Sequence, residues 1–306
     1  MKSAIMLNEL QINTITRLAK EKRRVLGFVG ETPIAGDIFT ILERMNIILL
    51  EFPIQSNDDR SAFSAAMMYS NEDGEELVFI GLNTADYFDK QIFAIAHELY
   101  HFYTKTGSHL SRADEESDLI EAMANRFAAE FLLPETALKS IILNEFKRSS
   151  LQEIPMKTLL RFIARLQCTW WLPYRSLVKR LLEIKAIDDQ QYETLYSINE
   201  RDMDGEYGRI GKAINSEVFT KLNTRTRNIS ASPKSIEVIV RNFEDELIDE
   251  DKFADTLSLF GKSPEDFGYG YTISEEDMDE LEAFFDGEVR NESEPDLRKP
   301  CLKEHF

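Results

Sequence analysis

Cysteine is nearly absent from this chain of 306 residues. The two that occur, Cys168 and Cys301, are far apart and form no C-x-x-C pair. Neither a disulfide framework nor a zinc site built from thiolates is indicated, because each requires several cysteines at short, regular spacing. Two unpaired thiols are typical of a protein kept in a reducing compartment, so we expect a cytoplasmic protein.

Long apolar runs are also missing. No stretch approaches the roughly 18–20 consecutive apolar residues that cross a bilayer. Near the N-terminus, polar residues interrupt the segment that would have to be apolar in a signal peptide, namely Asn8, Glu9, Gln11 and Asn13. Hydrophobic residues nevertheless make up 43% of the chain, which is enough for a buried core. The sequence thus predicts a globular protein that does not contact a membrane.

Positive charge is scarce. The chain has 36 Lys and Arg against 55 Asp and Glu, and its formal net charge is −19. Residues 235–306 alone contain 22 acidic and 7 basic residues, a net charge of −15. Such a chain as a whole should be repelled by nucleic acid. The acidic region has three interpretations: a solvated helical domain, which is the simplest, a surface that docks a partner, or an electrostatic restraint on basic helices elsewhere in the chain.

Residues 156–186 are the local exception to this acidity. They contain seven cations against Glu183, a net charge of +6. Their apolar spacing predicts two helices, 156–167 and 173–185, which resemble a helix-turn-helix unit. A basic helical pair can contact phosphates, so a DNA-binding regulator is one alternative function. Because cationic helix faces are usually only solvated, we do not expect direct DNA binding. The cations are Lys157, Arg161, Arg165, Arg175, Lys179, Arg180 and Lys185.

Apolar spacing and turn-forming residues predict the remaining elements. Helices are expected at 12–24, 34–46, 87–104, 115–133 and 135–147, and strands at 47–54, 62–69 and 76–83. Residues 199–233 are rich in Arg, Asn, Ser and Gly and have weak periodicity, so they are predicted to be a linker. A further helical pair is expected at 234–247 and 249–260. From residue 286 onward the composition indicates a disordered tail.

Two of the four histidines stand in the string His97-Glu98-Leu99-Tyr100-His101. The surrounding segment IFAIAHELYHFY has no Gly or Pro and good helical character. Side chains four residues apart lie on one face of a helix, so both imidazoles can bind one Zn²⁺. Glu98 can then reach a water beside them without being a ligand. The alternative is a pair of structural histidines with a carboxylate nearby by chance.

A hydrolytic zinc site needs a third protein ligand and one open position for water. Glu121 is the preferred candidate, because the alanines that follow it let its helix pack closely on the first. Asn125 lies one turn later on the same face and could orient a ligating histidine. Two rivals remain. Glu130 falls on the opposite side of the helix, and His109 lies in a polar segment that is more typical of a loop.

These segments resemble a known family. FIGLN-TADYFDKQIFAIAHELYHFY and EAMANRFAAEFLLP are similar to the ImmA/IrrE family of bacterial and phage metallopeptidases, and more broadly to thermolysin-type gluzincins. The resemblance is good over roughly residues 35–140 and weakens beyond about 200. Tyr100 is a departure, since a glycine is frequent there, but it removes no ligand. The resemblance implies one Zn²⁺ per chain held by His97, His101 and Glu121, with Glu98 as general base.

The fold class predicted from these elements is α+β. It combines a small mixed or antiparallel sheet with zincin-type helices, followed by a mostly helical C-terminal region with a helix-turn-helix-like unit. The predicted domains are a metallopeptidase domain at 1–147, a helix-turn-helix-like domain at 148–200, an acidic helical region at 201–285 and a tail at 286–306.

The resemblance also implies how substrate binds. Strand 76–83 would be an edge strand that pairs with an extended peptide, with Phe79, Gly81 and Asn83 as contact positions. An ordinary sheet strand is the alternative. The residue that stabilises the oxyanion stays open between Tyr69, Tyr103 and Arg112.

The implied function is a zinc-dependent endopeptidase. In the family that the sequence resembles, the substrate is commonly a helix-turn-helix transcriptional repressor, whose cleavage relieves repression of a mobile element, a prophage or a stress response. The second alternative, beside DNA binding, is a non-catalytic zinc-binding module such as an antitoxin-like partner. A degenerate site of that kind would be expected to lose a ligand or Glu98, and the chain retains all of them.

Overall fold

The computed structural model describes residues 6–54, 63–72, 75–106 and 115–270. The helices are α1 (Glu9–Val25), α2 (Ile38–Arg44), α3 (Phe88–Thr104), α4 (Glu115–Leu132), α5 (Glu135–Phe146), α6 (Met156–Trp170), α7 (Tyr174–Glu183), α8 (Asp189–Tyr196), α9 (Glu206–Leu222), α10 (Pro233–Glu244) and α11 (Glu250–Ser258). The strands are β1 (Ile47–Phe52), β2 (Ala65–Glu72), β3 (Glu75–Asn83) and β4 (Ser230–Ala231). Short 3-10 turns occur at Ala35–Asp37 and Pro264–Phe267.

The four strands form one mixed sheet in the order β2-β3-β1-β4. β1 and β3 are parallel, while β2 pairs antiparallel with β3 and β4 antiparallel with β1. The α+β class is therefore confirmed. The side chains that one face of the sheet buries alternate along the strands and join the core shared with the helices. They are Ile47, Leu49, Met67, Val78, Ile80 and Leu82.

The prediction that strand 76–83 is an edge strand was wrong. β3 lies between β1 and β2, and Phe79 and Gly81 each have a partner on both sides. Asn83 is fully buried, and its side-chain amide bonds to the backbone of Ile54, Phe63 and Ala85. The nearly continuous apolar run LVFIGL is typical of a central strand. The backbone of none of the three is therefore free to pair with an extended peptide.

One cluster of buried apolar side chains runs from Ile15 to Leu222. It includes residues on both sides of the predicted boundary at 147, such as Ile142 on α5 and Leu159 on α6. α6 and α7 are joined by the three-residue turn 171–173, in keeping with a helix-turn-helix-like connection. Residues 148–200 thus share their core with the N-terminal part.

The prediction of a linker at 199–233 was also wrong, because this segment contains α9, packed on α6. The glycines mark close packing. A Cβ on Gly208 would lie 2.4 Å from the carbonyl oxygen of Asp202, and a Cβ on Gly211 would lie 2.2 Å from the ring of Phe219. α9 is kinked at Asn215, which has non-helical backbone angles, and Phe219 beyond the kink is buried against Gly211. Composition alone does not separate such glycines from those of a loop.

The helical pair predicted after residue 233 is present as α10 and α11. Phe243 and Phe253 stack with ring centroids 4.3 Å apart, and Tyr269 meets both edge-on. Phe260 contacts Phe52 at the end of β1. The predicted tail at 286–306 lies outside the described residues.

Two further expectations concern membrane-spanning helices and unpaired cysteines. Over the described part of the chain, no helix is both long and apolar enough to cross a membrane. Cys168 is a free, half-buried thiol, and burial raises its pKa to about 11. Cys301 lies outside the described residues.

Candidate metal centre

The site is built on α3 and α4, which pack along each other. α3 carries His97, Glu98 and His101, and α4 carries Glu121. Small buried side chains let the two helices approach closely, among them Ala96 on α3 and Ala124 and Ala128 on α4. Tyr100, which replaces the frequent glycine, is buried with its ring 5.6 Å from that of Phe127. The bulky residue thus fills space between the helices.

The three predicted ligands converge. Nε2 of His97 and Nε2 of His101 are 3.2 Å apart. The carboxylate oxygens of Glu121 lie 3.1 Å from Nε2 of His97 and 3.5 Å from Nε2 of His101. Two ligand atoms of one tetrahedral zinc, each at ~2.0–2.1 Å, are roughly 3.3–3.4 Å apart. The spacing of these three donors therefore fits a single zinc ion. Their chemistry fits as well, because two neutral imidazoles and one carboxylate are typical zinc ligands.

Each histidine is also held at its other ring nitrogen. Nδ1 of His97 is 3.2 Å from Oδ1 of Asn125, one turn after Glu121 on α4. An amide oxygen can only accept, so this nitrogen carries the hydrogen and Nε2 keeps its lone pair. Nδ1 of His101 is 3.3 Å from the hydroxyl of Thr106. Sequence reasoning missed Thr106, because its position depends on how the chain turns after α3 ends.

Glu98 lies beside the three ligands and is 8% exposed. Its carboxylate accepts a hydrogen bond from the backbone N–H of Met67 on β2. Burial raises the pKa of Glu98 to about 7, aided by the negative charge of Glu121 and opposed by His97 and the Met67 N–H. Such a carboxylate can take up and release a proton near neutral pH.

The charges of the site favour a bound cation. Burial works against a charged His97, but the hydrogen bond that the charged ring would donate to Glu121 and the charges of Glu98 and Glu121 outweigh it and raise its pKa. Burial and the neighbouring His97 lower the pKa of His101. The hydrogen bond with His97 lowers the pKa of Glu121. The two carboxylates thus draw positive charge toward the ring nitrogens that would bind a metal.

Comparison with known proteins agrees with this geometry. The model of the Peptidase_M78 family, described as the IrrE N-terminal-like domain, matches residues 44–160. Residues 44–160 thus form a segment similar to the IrrE N-terminal-like domain of that family. The matched segment of this IrrE-like domain begins before β1 and ends within α6, so it contains α3 and α4 with all four site residues. Neither the curated proteins nor the solved structures gave a match.

The rival ligands in the IrrE-like domain are placed elsewhere or not described. Glu130 is buried away from the site, with its carboxylate 2.5 Å from Arg180 and accepting the backbone N–H of Glu135. His109 lies outside the described residues. Among the open oxyanion candidates, Tyr103 donates its hydroxyl to the sulfur of Met45.

The two other oxyanion candidates are Tyr69 and Arg112. Burial raises the pKa of Tyr69, and the charge of Glu98 contributes to the shift. Arg112 lies outside the described residues.

A buried ion pair anchors the beginning of α3. Asp89 is completely buried, and its two carboxylate oxygens lie 2.9 and 3.1 Å from Nη2 of Arg201. Gln167 on α6 donates to Asp89 and in turn accepts from the hydroxyl of Tyr207 on α9. The guanidinium of Arg201 also lies 4.1 Å above the ring of Tyr87. The helix that carries the HExxH string is thereby tied to residues beyond the matched family segment, which the sequence did not indicate.

Proposed function

We propose that this chain is a zinc-dependent endopeptidase. The observation that carries the proposal is the convergence of His97, His101 and Glu121, whose ligand atoms all lie within 4.8 Å of one another, with Glu98 buried beside them. His97, His101 and Glu121 would hold one zinc ion. Zinc in such a site lowers the pKa of water and polarises a carbonyl group.

Glu98 is the proposed general base and acid. Its carboxylate accepts the N–H of Met67 and is not one of the three groups whose ligand atoms converge. In the proposed reaction the carboxylate takes the proton of the attacking water and returns it to the nitrogen of the leaving amine. General acid–base catalysis of this kind typically contributes about 10²–10⁴ in rate.

The proposed substrate strand is β2. Among the described strands β2 lies at one end of the sheet order. Along an antiparallel strand, every second residue bonds to the neighbouring strand and the residues between point the other way. The bond from the N–H of Asn83 to the carbonyl of Ser64 shows that the backbone groups of Met67 and Tyr69 are among those that point away from β3. Glu98 occupies the N–H of Met67, which leaves the Met67 carbonyl and the Tyr69 N–H for an extended peptide. A peptide paired there runs directly past Glu98.

We infer the substrate class from the family resemblance. A helix-turn-helix transcriptional repressor is the proposed protein substrate, cleaved in the cytoplasm to relieve repression. The DNA-binding alternative is opposed by ion pairing. Four of the seven cations in 156–186 lie within 4.0 Å of carboxylates, which reduces the charge available to phosphates. They are Lys157, Arg165, Arg175 and Arg180.

The experiment compares cleavage by the native chain with that by Glu98→Gln. The probe is the helix-turn-helix repressor encoded nearest to the gene, incubated with zinc-loaded protein and followed by gel electrophoresis. Glu98→Gln should retain zinc and lose at least about 10²-fold in rate. Glu153→Gln, which changes an exposed carboxylate between α5 and α6, is the matched control and should cleave normally. Cleavage by Glu98→Gln at the native rate would refute the mechanism, and intact repressor with native protein would refute the substrate class.

A further inference from the structure

The second zinc ligand is held by a chain of hydroxyl groups that no sequence motif reveals. Nδ1 of His101 is 3.3 Å from Oγ1 of Thr106. That oxygen is 2.6 Å from Oγ1 of Thr104. The hydroxyl of Thr104 donates to the backbone carbonyl of Tyr100, one turn back on α3, at 2.8 Å. Four groups thus lie in series from the imidazole to the helix backbone.

Each hydroxyl has one hydrogen, and this fixes every direction in the series. Thr104 gives its hydrogen to a carbonyl oxygen, which can only accept. The Thr104 oxygen must therefore accept in its bond with Thr106, so Thr106 donates its own hydrogen to Thr104. Toward His101 the Thr106 oxygen can then only accept, so the hydrogen of the neutral imidazole is on Nδ1. Nε2 is left with a lone pair, and it points at Glu121 and His97.

We propose that Thr106, with Thr104 behind it, is a positioning residue that selects the metal-binding tautomer of His101. The inference rests on the proposed function, since it assumes that His101 is a ligand. It deepens that function by assigning the support of the second histidine, as Asn125 supports the first. A partner at the outer ring nitrogen both orients the ring and strengthens Nε2 as a donor.

The turn after α3 brings Thr106 back to His101. Lys105 has a left-handed backbone with φ of 54°, which reverses the chain where the helix ends. Its ammonium group is 3.0 Å from Glu76 on β3 and lies above the rings of Tyr69 and Phe102, at 4.9 and 5.1 Å from their centroids. The hydroxyl that supports His101 is therefore fixed from the sheet side, whereas Asn125 supports His97 from α4.

The test is the zinc affinity of purified full-length protein, measured by competition with a chromophoric chelator. Thr106→Val keeps the shape of the side chain but removes the acceptor, and should weaken zinc binding about 10–100-fold, the range typical of such outer partners. Thr106→Ser keeps the hydroxyl and should bind within about threefold of native. Thr104→Val should also weaken binding, because Thr106 is then free to point its hydrogen at the imidazole. The Thr104→Val/Thr106→Val double variant should bind no more weakly than Thr106→Val alone.

The outcomes separate this inference from the proposed function. Thr194→Val is the control, since Thr194 makes the same bond to the carbonyl one turn back, on α8, and should leave affinity unchanged. Native affinity in Thr106→Val, or equal losses in Thr106→Val and Thr106→Ser, would overturn the inference and leave the zinc site standing. If Thr106→Val fails to fold, Thr104→Val decides, and native affinity in that variant overturns the inference. Absence of zinc binding by the native chain would instead refute the proposed function.

Discussion

Replacement of Arg201 by methionine tests whether the region beyond the family segment stabilises α3, the helix that carries the HExxH string. The substitution leaves Asp89 completely buried without its cation, while Gln167 remains as its one side-chain donor among the described contacts. Removing one partner of a buried pair costs about 3–5 kcal/mol. The lost stacking on Tyr87 adds about 0.5–2 kcal/mol. We expect Arg201→Met to lower the free energy of unfolding at pH 7 by at least about 3 kcal/mol.

The loss should depend on pH with a definite sign. Burial raises the pKa of Asp89 above its usual range, and Arg201 offsets part of that rise. Without Arg201 the pKa rises further, so the buried carboxyl is protonated more readily as the pH falls. A carboxyl whose pKa is raised in the folded state destabilises the fold fully above that pKa, and the destabilisation shrinks as the pH falls from there toward the unfolded-state pKa. The difference between variant and native protein should therefore be smaller at pH 5 than at pH 7.

The assay is urea denaturation followed by circular dichroism at both pH values. Asp89→Asn/Arg201→Met removes the buried charge together with its partner and should recover part of the loss. Arg241→Met breaks an exposed pair with Glu237 on α10 and should cost less than about 1 kcal/mol. A cost below about 1 kcal/mol for Arg201→Met at pH 7, or a larger cost at pH 5, would refute the reasoning.

Three further outcomes are expected. Gly211→Ala places a Cβ 2.2 Å from the Phe219 ring and should lower the free energy of unfolding, measured by urea denaturation, by about 1–3 kcal/mol. Gly36→Ala is the control. Its Cβ meets open space, so it should lower that free energy by no more than about 0.5 kcal/mol. Phe127→Ala empties a fully buried site between α3 and α4 and should cost about 3–5 kcal/mol by the same assay. Zinc at about 100 times its dissociation constant should stabilise the metal-free chain by about 2.7 kcal/mol, with a much smaller gain in His97→Ala; an equal gain in that variant would exclude His97 as a ligand.

Local signals explain what the sequence predicted well. The HExxH spacing requires only that residues 97–101 be helical, and α3 contains no residue that would break the helix. Glu121 and Asn125 are one turn apart on α4, so the geometry of one helix is enough to place both on one face. The order of strands and helices up to residue 147 follows from apolar periodicity in the same way.

Tertiary contacts explain what the sequence could not predict. β3 became a central strand because β1, distant in sequence, adds to it in parallel. The glycines of 199–233 belong to a packed helix, which is visible only once Phe219 is seen against Gly211. Thr106 supports His101 only because Lys105 turns the chain back. In each case the deciding partner lies outside the local pattern.

Anomalous X-ray scattering at the zinc edge, measured on crystals of the full chain grown with zinc, tests the central claim most directly. The account predicts one peak per chain, with Nε2 of His97, Nε2 of His101 and a carboxylate oxygen of Glu121 each at about 2.0–2.2 Å. Glu98 should stand outside this set of ligands, still bonded to the N–H of Met67. A peak at another place, or one ligated by Glu98 in the position of Glu121, would contradict it.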